Sequence, residues 1–215
     1  DYNKDGKLDV AVSQFDRTGL WFLNTGGDTV PQLLFNGTNL TRGDLNGDGY
    51  VDYVSSRNDT VTIYWGTSAG IDTLTPTRLH GEYPYNDFGY TILIGNLFGD
   101  SLPELVICVP SFPDIRYLGK VYIYMGSNPF DTLPAYTITG DSIDYSLGWG
   151  GAIGDLNGDG YNDLAVRGEF EYGQASERWH YVDVWFGGAV FDTVRDLRMT
   201  NPFNNLSDVR IFDTN

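Results

Sequence analysis

One nine-residue segment returns through the chain and constrains its fold more than any other feature. In the first copy, residues 1–9, positions 1, 3, 5, 6, 7 and 9 are Asp1, Asn3, Asp5, Gly6, Lys7 and Asp9. The second copy, 44–52, places Asp44, Asn46, Asp48, Gly49, Tyr50 and Asp52 there, and a third complete copy, 155–163, places Asp155, Asn157, Asp159, Gly160, Tyr161 and Asp163. A degenerate copy at 96–104 keeps Asn96, Asp100 and Glu104 but carries Phe98 at position 3 and Ser101 at position 6. Asp213, Thr214 and Asn215 read as the opening of a fifth. The copies begin 43–59 residues apart, a period that signals stacked repeats.

The flanks repeat with the loop. A short apolar segment precedes each copy (40–43, 91–95, 151–154, 209–212), and a stronger one follows it (8–12, 51–55, 105–109, 163–166). A third runs up to a glycine (20–23, 61–66, 121–126, 182–187), and a fourth is less regular (32–35, 77–79, 135–138, 194–197). The runs are short, β-branched or aromatic, and bounded by Gly, Pro, Asn and Asp, which is the pattern of strands. No window carries helical periodicity. Four strands per repeat predict an all-β chain of about four propeller blades, one β-propeller region over 1–215. A sandwich also spaces its strands regularly. It does not explain why one nonapeptide returns at the same place in the strand cycle.

Positions 1, 3, 5 and 9 supply hard oxygen donors, and the position-7 carbonyl (Lys7, Tyr50, Tyr161) adds a main-chain oxygen. Carboxylate, amide and carbonyl oxygens in one tight loop suit Ca²⁺, and glycine at position 6 permits the sharp turn. An EF-hand would need a bidentate Glu at position 12 and flanking helices. Position 12 here is Val12, Ser55 or Val166, and strands flank the loop. An acidic hairpin turn is the alternative for any single copy. The degenerate copy is expected to bind weakly or not at all through Asn96, Asp100 and Glu104.

Phe88-Gly89 lies eight residues before Asn96, followed by Ile94-Gly95-Asn96 and then Val106 to Pro110. Leu147-Gly148 and Asn36-Gly37 stand in the same place before the neighbouring copies. This combination resembles the FG-GAP repeat, known from the integrin alpha-subunit β-propeller and from secreted bacterial proteins, and it covers essentially the whole chain. The resemblance implies blades with calcium in the loop between the first and second strands. The chain departs from the pattern at Phe98, in lacking a clean Gly-Ala-Pro (Val109-Pro110 comes nearest), and in having fewer blades than such propellers usually have. A fragment, or part of a larger propeller, is the expectation.

Acidic residues outnumber basic ones 29 to 13, for a formal charge of −16. A general nucleic-acid binder needs the opposite balance. No segment approaches the ~20 apolar residues of a membrane-spanning helix, so no membrane insertion is expected. With no initiator Met and no leader pattern, the chain reads as a mature product or an excised piece. A single cysteine, Cys108, excludes an internal disulfide and a cysteine zinc site. His80 and His180 read as ordinary strand or surface histidines, and no nucleophile-elbow, phosphate-loop or dinucleotide motif occurs. Sequons fall at Asn36, Asn39, Asn58 and Asn205.

The loops at the other end of the blades vary more than the strands. They carry Tyr83, Tyr85, Arg116, Tyr117, Tyr145 and Tyr172, candidates for a ligand face opposite the calcium loops. Exposed tyrosines among Asp and Asn suit a protein or a carbohydrate ligand. The leading expectation is a calcium-stabilised, non-catalytic module for adhesion or recognition, secreted or at the cell surface. The alternatives are a lyase-like polysaccharide-degrading propeller, separable by assaying unsaturated product, and a self-assembling spacer or filament subunit.

Overall fold

The computed structural model describes residues 7, 9–14, 16–22, 30–113, 117–141, 145–171, 178–201 and 209–211. The described residues are all-β, arranged as successive antiparallel sheets with no helix among them. The first sheet has three strands, β1 (Val10–Gln14), β2 (Arg17–Trp21) and β3 (Leu33–Asn36). The second has β4 (Thr38–Gly43), β5 (Asp52–Arg57), β6 (Thr60–Tyr64) and, after a small hairpin of β7 (Gly66–Thr67) with β8 (Gly70–Ile71), β9 (Thr77–His80). The third has β10 (Thr91–Gly95), β11 (Glu104–Val109), β12 (Lys120–Tyr124) and β13 (Tyr136–Thr139). The fourth has β14 (Tyr145–Gly154), β15 (Asp163–Glu171), β16 (Arg178–Trp185) and β17 (Leu197–Asn201). Neighbours in sequence are neighbours in each sheet, as in propeller blades.

The strand sequences follow from where the cores lie. A strand covered on both faces has no reason to alternate polar with apolar. In β11 every residue from Glu104 to Val109 is buried, because separate cores cover its two faces. One core joins the second and third blades through Val54, Ile63, Phe88, Ile107 and Tyr122. Another joins the third and fourth through Val106, Cys108, Ile123, Leu164 and Tyr181. Phe35, Tyr53 and Tyr64 fill the space between the first and second blades, with Phe35 stacked 5.3 Å from Tyr53. By contrast, all five residues of β1 are exposed.

Every described nonapeptide connects a first strand to a second, in one register. The residue before position 1 pairs with position 9: Gly43 with Asp52, Gly95 with Glu104, Gly154 with Asp163. The β5–β6 turn is Asn58-Asp59, both with positive φ (49° and 57°), the two-residue hairpin that Asn and Asp best tolerate.

The fourth blade departs from the sequence expectation. Its last strand is β17, beginning at Leu197, rather than residues 194–197. Asp192 accepts the Val194 N–H (2.8 Å) and Asp196 accepts the Phe186 N–H (2.7 Å), so this stretch turns back before pairing begins. The strands β15 and β16 also run longer than the sequence suggested, and Phe170 lies in β15, packed against Trp179 and Tyr181, rather than in a loop. Asp183 is buried in β16 because Arg198 (Nε, 2.6 Å) and Arg195 (Nη1, 3.3 Å) both reach it.

Cys108 is fully buried, and burial pushes its thiol up to about 12. The folded chain is therefore expected to give no reaction with a disulfide reagent at neutral pH and one thiol equivalent once unfolded in denaturant. Rapid reaction of the native chain would contradict this packing.

Candidate functional site

The loops 44–52 and 155–163 are built by nearly the same hydrogen bonds. Asp44 accepts the N–H groups of Asp48 (3.1 Å) and Gly49 (2.9 Å); Asp155 accepts those of Gly158 (2.7 Å) and Gly160 (3.0 Å). At position 3, Asn46 and Asn157 accept the N–H of position 5 at 3.0 and 2.9 Å. Their amide nitrogens donate to the position-5 carboxylates, Asp48 and Asp159, at 3.0 and 2.9 Å. Asp48 and Asp159 in turn accept the N–H of Tyr50 and Tyr161, both at 2.9 Å. The side-chain oxygens of positions 1, 3 and 5 are thus gathered on the backbone of one turn. Gly49 and Gly160 take φ of 87° and 92° at position 6, which the turn requires.

Position 9 has a distinct task. Asp52 is fully buried, and its two oxygens accept the N–H of Leu45 (2.8 Å) and of Gly66 (2.8 Å). Asp163 does the same with Leu156 and Gly187, each at 2.8 Å. One carboxylate therefore ties the loop's start to the turn after the third strand. Burial pushes the Asp52 carboxyl up to about 6; the two N–H donors oppose this, and the nearby Asp48 and Asp44 add to it. Nothing in the nine residues themselves separates this task from metal ligation. The recurring glycine after the third strand (Gly66, Gly126, Gly187) was the available signal.

The loop 96–104 departs where its sequence departs. Ser101 does not adopt the positive φ of Gly49 and Gly160, and Phe98 packs against Tyr136 and Phe191. Glu104 keeps the bond to the Leu97 N–H (2.7 Å), but its Oε1 is buried without a hydrogen-bond partner. Burial pushes this carboxyl up to about 7.

The donor chemistry of 44–52 and 155–163 fits Ca²⁺: carboxylate and amide oxygens, exposed at Asp48, Asp155, Asn157 and Asp159 and half-buried at Asp44 and Asn46, held by backbone donors that leave lone pairs to spare. Among the described residues, no three His, Cys, Asp or Glu side chains close on one centre. That accords with position 9 being turned to the backbone. Lys7 is exposed and Asp9 half-buried, while Asp1, Asn3, Asp5 and the loop opening at 213 lie outside the described residues.

Consecutive loops are joined to the blades that follow them. Ser127 donates its N–H to the Leu45 carbonyl (3.0 Å) and Gly188 to the Leu97 carbonyl (2.9 Å). Asn162 donates its side-chain amide to the Asn96 carbonyl (2.9 Å).

At the opposite ends of the strands lies an open cleft of about 1200 Å³. It is lined by Asp16, the β5–β6 turn, His80 and the 81–90 connection into the third blade. Asp59 accepts the N–H groups of Tyr85 (2.8 Å) and Phe88 (3.1 Å), fixing that connection. Asn39 reaches across from β4 to the Tyr90 carbonyl (2.8 Å). Of the predicted ligand-face residues, Tyr83 and Tyr85 are exposed in this cleft, at 53% and 88%. Tyr117 is exposed but outside it. Tyr145 opens β14, pairing with Phe170. Arg116 and Tyr172 lie outside the described residues.

The FG-GAP repeat family matches residues 147–179, and the FG-GAP-like repeat family matches residues 44–107. Phosphatidylinositol-glycan-specific phospholipase D of Rattus norvegicus is 29% identical over 156 residues, 63% of this chain and 18% of the relative. Integrin alpha-5 of Xenopus laevis is 31% identical over 117 residues, 51% of this chain and 11% of the relative. Integrin alpha-IIb of Mus musculus is 32% identical over 103 residues, 43% of this chain and 10% of the relative. The chain thus spans less than a fifth of the length of each of these three relatives.

Proposed function

We propose that this stretch of FG-GAP-type propeller, similar to parts of integrin alpha subunits and of phosphatidylinositol-glycan-specific phospholipase D, is a calcium-stabilised recognition or adhesion module. It acts without catalysis of its own, as one propeller region, in an extracellular or cell-surface setting. The observation that carries the reading is the duplicated hydrogen-bond scaffold of 44–52 and 155–163, which presents the same oxygens twice. Asp44, Asn46, Asp48 and the Tyr50 carbonyl would hold one ion; Asp155, Asn157, Asp159 and the Tyr161 carbonyl would hold another. Asp1, Asn3, Asp5, the Lys7 carbonyl and Asp9 would supply the equivalent set in the first loop. Asp52 and Asp163 hold each loop to its blade and add a carboxylate beside it.

A bound cation offsets the repulsion of the clustered carboxylates. The loop residues do the rest: backbone donors orient the oxygens, and position 9 fixes the loop between the first and second strands. A ligand present at a hundred times its Kd stabilises the folded state by about 2.7 kcal/mol. Extracellular calcium modules bind with Kd of ~10⁻⁴–10⁻³ M, so the gain per site is smaller at millimolar calcium.

Chelation is expected to lower the melting temperature by a few degrees per site, at roughly 2–4 °C per kcal/mol for a chain of this size. In calcium, Asp48→Ala or Asp159→Ala is expected to lower it more than Asp100→Ala, because the 96–104 loop, although Asn96 and Asp100 still accept the N–H groups of Gly99 and Leu102, has Phe98 in place of the position-3 amide oxygen and Ser101 in place of the position-6 glycine. Identical melting curves in calcium and in chelator would remove the metal reading.

A further inference from the structure

We propose that the cleft between the β5–β6 turn and the 81–90 connection binds a neutral oligosaccharide. This rests on the recognition reading above and names the ligand class at one place on that face.

The cleft is a prepared surface. Among the described residues six non-glycine positions have positive φ, and five of them (Asn39, Asn58, Asp59, Tyr85 and Asp87) line it. Such conformations cost energy and persist only where surrounding contacts hold them. Here the contacts are on view: Asp59 clamps the connection at Tyr85 and Phe88, and Asn39 holds the Tyr90 carbonyl. The effect is to present Tyr85 outward, 88% exposed, on a fixed backbone. Held there, the exposed ring offers a flat apolar platform of the kind a pyranose face covers.

The polar lining decides among ligands. Asp16, Asp59 and Asp87 face the cleft, and the cationic Arg57 is paired with Asp16 at 2.7 Å. Anionic ligands therefore meet net repulsion. Each aspartate is also committed within the protein: Asp16 to Arg57, Asp59 to two backbone N–H groups, Asp87 to the Ser111 hydroxyl (2.6 Å). None stands as a bare counter-ion awaiting a cationic side chain. What remains is a mixture of acceptors (carboxylate lone pairs) and donors (Asn58 amide, Arg57 guanidinium) around a ring. Sugar hydroxyls donate and accept at once, and this mixture matches them.

The test uses the whole chain in calcium. The probes are neutral oligosaccharides from mannan, galactan, xylan and β-glucan, with polygalacturonate and heparin as anionic controls and an arginine-rich peptide as the cationic one. Calorimetry is expected to show saturable binding of at least one neutral probe and of neither anionic one. Tyr85→Asn keeps a residue that tolerates positive φ and removes the ring; it is expected to weaken binding about tenfold at unchanged melting temperature, the loss of ~1.4 kcal/mol. Tyr85→Phe retains the platform and should bind within about threefold of the parent chain. Tyr117→Ala, outside the cleft, should bind as the parent does.

Sugar binding indifferent to Tyr85→Asn overturns the cleft assignment. Binding of the peptide in place of the sugars, lost in Tyr85→Asn, overturns the ligand class but leaves recognition standing. Failure of every probe overturns the proposal; a protein partner then captured through this face would still support the recognition reading.

Discussion

Asp52→Ala is expected to lower the melting temperature by about 10 °C in chelator, a condition in which a pure metal ligand would cost nothing on removal. The Asp52 carboxylate is fully buried, and both oxygens are occupied by backbone donors, Leu45 and Gly66. Alanine leaves two buried N–H groups without acceptors, at ~1–3 kcal/mol each. With roughly 2–4 °C lost per kcal/mol, the fall follows. Asp163→Ala should cost less, because the bonds it makes to Leu156 and Gly187 are only partly buried. Thermal unfolding of both variants with and without calcium is the measurement. A loss confined to the calcium arm would show that position 9 acts only as a ligand.

Gly187→Ala is expected to be the most damaging single methyl that can be added near the loops. A Cβ there would lie 1.9 Å from the Asn162 carbonyl oxygen and 2.6 Å from that of Leu97. Both are backbone atoms, so no side chain can swing aside. Making room breaks the Gly187 bond to Asp163 and the adjacent Gly188 bond to Leu97. A cost above about 4 kcal/mol is expected, from overpacking together with lost buried hydrogen bonds. Gly150→Ala is the control: its Cβ would meet nothing nearer than Arg167 Nε at 3.6 Å, an ordinary contact. Soluble yield and urea denaturation read both. If Gly187→Ala unfolds at the parent's midpoint, the backbone at Asn162 and Leu97 yields to the methyl at little cost and the prediction fails.

The blade plan and the loops were legible in the residues because both are local. A nine-residue loop carries its own turn chemistry, and strands packed on both faces announce themselves as unbroken apolar runs such as residues 105–109. The task of position 9 was not legible, because its second partner lies 14 residues away for Asp52 and 24 for Asp163. Nothing within the nonapeptide separates a carboxylate turned to a metal from one turned to the backbone. The last strand of the fourth blade was placed too early because Val194 and Leu197 resemble strand residues. The aspartates at 192 and 196 override that preference by capping a turn. The cleft needed tertiary structure as well: Asn58-Asp59 reads as a short hairpin turn, but its hold on Tyr85 spans 26 residues.

The bonds from Ser127 to Leu45 and from Gly188 to Leu97 run from the turn after a third strand to the loop ahead of the preceding blade's second strand. Among the described residues, the third blade thus supplies a donor to the second, and the fourth to the third. Energetically this is a one-dimensional chain with nearest-neighbour coupling. Over evolutionary time, such an array can lengthen or shorten by whole periods, wherever the genetic breakpoint falls, because the new neighbour brings the missing donor in phase. A change of half a period strands a carbonyl at every new junction. The nonapeptide's steady place in the strand cycle, across periods of unequal length, follows from that requirement of phase.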